Sequence, residues 1–155
     1  MTALWFIAAV ALTALVVWSV VTAQRLDRLH IRVDRSRDAL QAALDRRCAV
    51  LAAYHPELTD AARAAEEVPL LPGDLDARIA AEARLGEEAA PLLAGAAAEP
   101  RRVHDTTDAD TRVMLALRFY NDAVADTRAL RLNPVVRALR LGGTAPLPQF
   151  CSLSL

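Results

Sequence analysis

The first 24 residues contain no charged side chain, and the chain reaches Pro56 before its first glycine or proline. Residues 3–23 read ALWFIAAVALTALVVWSVVTA, and about 20 apolar residues are enough for a helix to cross a bilayer. Because no helix breaker follows them, we predict one helix over residues 3–54, roughly 75 Å long at ~1.5 Å per residue. Such a helix is a rod, half in lipid and half in water.

The charges on the two sides of the apolar segment predict its orientation. Five arginines follow it between residues 25 and 37, whereas only the α-amino group is charged before it. Cytoplasmic flanks of membrane helices carry an excess of basic residues. Trp5 and Trp18 lie near the two ends of the segment, where interfacial aromatic side chains are common. We therefore expect a single-pass protein of the cell membrane, with its N-terminus outside and the remainder in the cytoplasm.

A cleaved signal peptide is the competing interpretation of the same segment. Residues 21–23 are Val-Thr-Ala, and small residues of this kind are found at cleavage sites. Two features favour an anchor instead. The start of the chain has no basic side chain, and the apolar stretch is longer than the usual core of about 7–15 residues.

The charged part of the first helix carries an apolar stripe at helical spacing, formed by Leu26, Leu29, Val33, Leu40, Leu44 and Leu51. Such a stripe must be covered by other elements. The sequence therefore predicts an all-α fold, in which a transmembrane helix continues into a long amphipathic helix of an antiparallel helical bundle. We divide the chain into an anchor (1–24), a helical bundle (25–142) and an extended or disordered tail (143–155).

Capping residues and helix breakers predict where the next two helices lie. Thr59 or Asp60 is a suitable N-cap for a short helix after Pro56. Asp74 is a suitable cap for the following one. Pro91 falls inside that helix and is expected to kink it or split it near residue 88, because proline removes a backbone donor.

Two further helices are predicted in the last third of the chain. Thr106 or Thr107 is the expected N-cap of a long helix that runs to about Arg131, with acidic residues in its first turns. Asn133 and Pro134 then form a second start signal, with asparagine as the N-cap and proline as the first helical residue.

Two arginines interrupt or border the stripe of the first helix. For Arg37 and Arg47 we favour the interpretation that the apolar stems cover the core while the charged heads reach water. The alternative is a buried ion pair with an acid from another helix. Glu82 is the best candidate for that acid, because it interrupts the apolar face of its own predicted helix.

No pattern in the chain predicts catalysis, a metal site or a cofactor. His30, His55 and His104 have no metal-ligand spacing with one another or with Cys48 and Cys151. The chain contains no glycine-rich phosphate loop and no nucleophile elbow. Its net charge of −1 does not favour nucleic acid as a partner. We expect no enzymatic activity, no cofactor and no small-molecule substrate.

Residues 117–124 read LRFYNDAV, and this run resembles the LemA family of bacterial membrane proteins. Leu-Asp-Arg-Arg at residues 44–47 is similar to that family's first-helix motif. Residues 133–150, which end in Pro-Gln-Phe, are similar to its short terminal helix and tail. The resemblance implies a single-pass membrane protein with a cytoplasmic helical bundle and no enzymatic activity. It also implies that Tyr120 lies in the core and that Asn121 makes a buried polar contact.

The expected function is that of a non-enzymatic, membrane-anchored scaffold or interaction protein. Residues 3–23 contact the lipid bilayer, and the bundle presents a surface to a protein partner. That surface is either the side carrying Leu115 and Phe119 or the acidic region 57–90. The alternative is a coiled-coil homodimer of the cell-division bitopic type, in which the stripe of residues 26–54 pairs with its own copy. Arginines at the seam favour the first hypothesis.

Overall fold

A computed structural model describes residues 1–95, 99–139, 141–143 and 146–153. Its dominant feature is α1, Thr2–Tyr54, a single uninterrupted helix of 53 residues. The predicted rod is confirmed, and it is about 80 Å long at ~1.5 Å per residue. Its apolar part has a mean hydropathy of 2.4 and is not buried by the rest of the molecule. By length and composition, α1 could cross a membrane.

Four further helices complete the described part of the chain: α2 (Thr59–Glu66), α3 (Asp76–Gly95), α4 (Pro100–Arg131) and α5 (Pro134–Ala138). A single 3-10 turn, Pro56–Leu58, joins α1 to α2. Helices account for 82% of the structure, and the described residues contain no strand. The all-α prediction is therefore confirmed.

The charged half of α1 packs antiparallel against α4. Arg32 on α1 is level with Asp126 on α4, and their side chains approach to 2.7 Å. Arg47 is level with Asp110, with a separation of 2.8 Å. Farther along, the hydroxyl of Tyr54 donates a hydrogen bond to Asp105. This register carries α4 back towards the apolar half of α1.

The core consists of two hydrophobic clusters. The first lies between α1 and α4 and contains Leu40, Leu44, Val113, Tyr120 and Val124, among others. The second lies between the end of α1 and the short helices α2 and α3, where alanines provide much of the apolar surface. Small side chains allow α2 to approach both α1 and α3 closely. The stripe of α1 is thus covered within one molecule along most of its length.

The ends of the first two short helices differ from the predictions. No side chain caps α2. Thr59 is its first residue, and the threonine hydroxyl instead donates to the carbonyl of Pro56 at 2.7 Å. Helix α3 begins at Asp76, two residues after the predicted cap Asp74. It also continues through Pro91, which removes one backbone donor close to the helix end; the predicted split is wrong.

Helix α4 begins about two turns earlier than predicted, since its N-cap position is Glu99 and not Thr106 or Thr107. Its first residue is Pro100, and no side chain caps it. Proline at the first helical position has a suitable φ and lacks only a donor that would have no partner there. Thr106, which we expected at the start, lies inside the helix and donates to the carbonyl of Arg102 at 2.9 Å. The predicted end at Arg131 is confirmed.

The predicted start of the last helix, with Asn133 as the N-cap and Pro134 as the first residue, is confirmed. The Asn133 side chain accepts a hydrogen bond from the backbone N–H of Val135 at 3.0 Å, and Pro134 is the first residue of α5. Helix α5 ends at Ala138; residue 140, which the sequence placed in this helix, lies outside the described residues. The same holds for residues 144, 145, 154 and 155 of the predicted tail.

Candidate functional site

A cluster of ionised side chains lies inside the bundle, where α1, α3 and α4 meet. Arg78 is 0% exposed, Glu82 is 3% exposed and Arg47 is also buried. The half-buried Asp45 and Asp110 complete the cluster at its edges. Two positive and three negative charges thus surround a site from which water is largely excluded.

Glu82 is the centre of this cluster. One of its carboxylate oxygens accepts from Nε of Arg78 at 3.0 Å, and the other accepts from Arg47 at 3.2 Å. The thiol of Cys48 is a third donor, at 3.6 Å. The carboxylate therefore joins two residues of α1 to one of its own helix, α3.

Arg78 is hydrogen-bonded on all three of its nitrogens. Besides Glu82, it donates to Asp45 at 2.8 Å and to the carbonyl of Val68 at 3.0 Å. Burial opposes the charged guanidinium, but the hydrogen bonds and charges of Asp45 and Glu82 outweigh burial and raise the pKa of Arg78. A buried ion network with its donors satisfied fixes the mutual positions of helices rather than offering a reactive group.

The structure corrects the preferred interpretation of Arg47. Its head does not reach water but forms the buried pair with Glu82 that we gave as the alternative. For Arg37 neither interpretation fits fully. Its side chain is largely covered, and its head pairs with Asp34 and Asp38 of its own helix rather than with an acid of another helix. Sequence reasoning missed Arg78, although its spacing of four residues from Glu82 is a signal for an ion pair on one helix.

Cys48 lies in this cluster and is held as a neutral thiol. Burial, together with the charge of Glu82, raises the pKa of Cys48 to about 12. Cys151 is buried in the tail contact, and burial raises its pKa to about 11. A thiol of this kind is a poor nucleophile, because the thiolate is the reactive form.

The predicted interaction residues, Leu115 and Phe119, lie together on the outer face of α4. They are 50% and 54% exposed. Between them and α1 runs a groove of about 320 Å³, which we call the alanine groove. Its lining residues are Ser36, Ala39, Ala42, Ala43, Arg46, Arg112, Leu115, Ala116 and Phe119.

Two arginines give one end of the alanine groove a positive charge. Arg112 pairs with Asp108 on its own helix at 2.7 Å. Arg46 is exposed, and within the described ranges no carboxylate forms an ion pair with it. The groove therefore combines an apolar floor with a cation that is available to an incoming acidic group.

The tail packs on another side of α4. Asn121 donates to the carbonyl of Cys151 at 2.8 Å and accepts from its N–H at 3.0 Å, so that one side chain satisfies both backbone groups. The hydroxyl of Tyr120, which is buried as expected, donates to the carbonyl of Gln149 at 2.9 Å. Arg128 donates to the carbonyl of Pro148 and lies 5.5 Å from the ring centroid of Phe150.

A cavity of about 230 Å³ lies where the tail, α1 and the turn after α2 meet. His30, Arg37, Gly73 and Tyr120 are among its lining residues. Gly73 has φ +85°, a left-handed backbone conformation that favours glycine, and it makes this turn possible. The imidazole Nε2 of His30 is buried, and no residue in the described part of the chain is its hydrogen-bond partner.

The histidines and cysteines are not brought together. In the described ranges of the chain, no three His, Cys, Asp or Glu side chains form a group that could hold a metal ion. Both cysteines are free. Comparisons of the chain with protein-family models, with curated proteins and with solved structures give no match.

Proposed function

We propose that this protein is a non-enzymatic scaffold that holds a helical docking surface at a fixed place beside a membrane. The observation that carries the proposal is the continuity of α1. A single helix provides both the uncovered apolar segment and the stripe on which the bundle packs. The bundle is therefore joined to the anchor without a flexible linker.

The flanking charges support an orientation with the N-terminus outside and the bundle in the cytoplasm. Arg25, Arg28 and Arg35 are exposed on α1 directly after the apolar segment. Their position favours the cytoplasmic side. The resemblance of residues 117–124 to the LemA family is consistent with the same arrangement, a single-pass anchor followed by a cytoplasmic bundle.

The alanine groove is the proposed docking surface, and an amphipathic helix of another protein is the proposed occupant. The small side chains of Ala39, Ala42 and Ala43 allow a partner backbone to approach closely. Leu115 and Phe119 offer apolar area on the other wall. A carboxylate on the partner helix would pair with Arg46, which supports an acidic rather than a basic partner.

Capture of the partner tests this proposal. Full-length protein is affinity-purified from detergent-solubilised membranes as the wild type, as Phe119→Ala and as Met114→Ala. Met114 is exposed on α4 but does not line the groove, so it is a matched control. We expect Phe119→Ala to lose a co-purifying protein that the other two retain, with an unchanged thermal unfolding curve. Identical profiles for all three chains would remove the groove from the proposal.

The coiled-coil homodimer is the alternative function. In the structure, Leu40, Leu44 and Leu51 of the stripe are buried by other parts of the same molecule, so the stripe would have to be uncovered before it could pair with a second copy. Counting photobleaching steps of a fluorescent fusion in membrane-derived nanodiscs distinguishes the two functions. One step per nanodisc supports the scaffold, and two steps support the homodimer.

A further inference from the structure

The end of the bundle that carries α5 reaches into the apolar segment of α1. Thr22 lies within residues 3–23 and yet is only 7% exposed, and Leu26 beside it is also buried. Residues 1–18 are all exposed, and Ser19 is the first that is partly covered. Some part of the bundle therefore rises to the level at which the apolar segment ends.

The register between α1 and α4 identifies that part. Arg25 and Leu29 line a groove with Ala129 and Leu130, so the last turn of α4 is level with the start of the charged half of α1. The chain then turns at residues 132–133 and forms α5. The α1–α4 register places Leu132, at the end of α4, level with Leu26, and the segment that follows it contains the buried Val136 of α5.

The outer face of this end is apolar and exposed. Leu132, Val135 and Leu139 all lie in solvent in the isolated molecule. Around them, Arg25, Arg28 and Arg137 are exposed, whereas Asp27 is the exposed acid among the neighbouring residues of α1. Apolar side chains with a surplus of arginine are the composition of protein surfaces that lie in the headgroup layer of a bilayer.

We propose that Leu132, Val135 and Leu139 insert into the headgroup layer of the membrane that α1 crosses, while Arg25, Arg28 and Arg137 contact anionic phospholipid. This inference rests on the proposed membrane anchor. The headgroup region adds about 5–7 Å on each side of the hydrocarbon core, and Thr22, at the end of the apolar segment, lies at that boundary. The bundle is thereby held to the bilayer at a second point besides its anchor.

Site-specific photocrosslinking tests the contact. Full-length protein with benzoylphenylalanine at position 135 or 139 is reconstituted in nanodiscs of phosphatidylcholine with a minority of phosphatidylglycerol, irradiated and weighed by intact mass spectrometry. We expect a mass increase of one phospholipid. Benzoylphenylalanine at Val103, which is exposed near the opposite end of α4, is the matched control and should give no lipid adduct.

A fourth position separates this inference from the anchor itself. Benzoylphenylalanine at Val10, in the middle of the apolar segment, should crosslink to lipid if α1 is inserted. An adduct at position 10 together with none at 135 and 139 overturns the headgroup contact and leaves the anchor in place. Absence of an adduct at position 10 overturns both the membrane anchor and the headgroup contact. Crosslinking of position 135 to a second copy of the chain would assign this face to self-association instead.

Discussion

At the scale of single residues, Glu82 decides how the bundle is assembled. Its carboxylate joins Arg47 of α1 to Arg78 of α3, two helices whose backbones otherwise meet at few points. Burying charged side chains costs free energy of solvation. Removing one partner from such a network costs more, because a buried charge then loses its counter-charge. The position of α3 thus depends on charges as well as on apolar packing.

The first prediction concerns the loss of this carboxylate. Glu82→Gln removes the buried carboxylate that Arg47 and Arg78 share and leaves them only the half-buried Asp110 and Asp45. It should lower the free energy of unfolding by about 3 kcal/mol. Urea unfolding of the full-length protein in detergent, followed by circular dichroism, measures the change. Asp108→Asn breaks the exposed pair with Arg112 and should leave the free energy of unfolding nearly unchanged, because water screens this pair. Equal effects of the two substitutions would contradict a central role for Glu82.

The second prediction concerns Cys48 at alkaline pH. Its pKa rises from an ordinary 9.0 in the unfolded chain to about 12 in the folded protein, so folding favours the protonated thiol. The stabilisation that follows is fully present below pH 9.0 and is lost as the pH rises towards about 12.

Comparison with Cys48→Ser isolates this contribution, because a serine hydroxyl keeps a donor near Glu82 but does not titrate. The free energy of unfolding should fall more steeply between pH 9.0 and about 12 in the wild type than in the variant. Tyr54, Tyr120 and Cys151 titrate in both proteins and cancel in the comparison. Parallel curves would show that the Cys48 thiol is not held protonated.

At the scale of elements, the tail is attached to α4 by side chains that bond its backbone, and Asn121 makes two of these hydrogen bonds. Asn121 makes both hydrogen bonds to the backbone of Cys151, and its neighbour Tyr120 binds the carbonyl of Gln149. An extended segment has few contacts of its own, so its order depends on such side chains.

The third prediction follows from this attachment. Asn121→Ala should loosen the end of the tail around Cys151, because both backbone groups of Cys151 lose their partner while Tyr120 and Arg128 still hold residues 148 and 149. Hydrogen–deuterium exchange measured by mass spectrometry should show faster exchange in this segment while α1 and α4 stay protected. Asp122→Ala changes the exposed next residue and should leave the exchange as it is. Unchanged exchange in Asn121→Ala would mean that the tail is held elsewhere.

The elements that could be predicted from the sequence are those specified by local signals. The α1 rod follows from the absence of any breaker before Pro56, and α5 follows from the Asn133–Pro134 pair. The start of α4 was misplaced because Pro100 is itself a good first residue, and threonines inside a helix can bond to carbonyls of the preceding turn.

The candidate site was only partly predictable, because its parts meet through tertiary packing. Leu115 and Phe119 could be assigned to a separate side of α4 from their spacing, and the structure places them on the wall of the alanine groove. The floor of that groove comes from α1, and no local pattern couples the two helices. Likewise, the sequence offered the pair Arg47–Glu82 as an alternative. It did not indicate Arg78 as the third partner or the docking of the tail, because both depend on the register between helices.

At the scale of the whole molecule, the proposed topology gives the fourth prediction. In intact cells, a cysteine introduced at Thr2 should react with a membrane-impermeant maleimide, because the proposed topology places the N-terminus outside. One introduced at Ala42 should react only after the membrane is opened. The two native cysteines are buried and contribute little background. The reverse pattern would invert the orientation.

A mature chain that begins at Gln24 and is free of the membrane fraction would show that residues 1–23 are a cleaved signal peptide.

Because α1 is one unbroken helix, the number of residues between its apolar segment and the alanine groove fixes the distance between them. Ala43, on the floor of the alanine groove, lies twenty residues beyond Ala23, which corresponds to about 30 Å along the helix axis. One residue inserted into α1 between Ala23 and the groove would move the groove about 1.5 Å farther from the apolar segment. It would also rotate the groove by about 100° around the helix axis. In the proposed function, α1 therefore sets both the height of the groove above the lipid and the direction in which it faces, and a partner helix would have to match both.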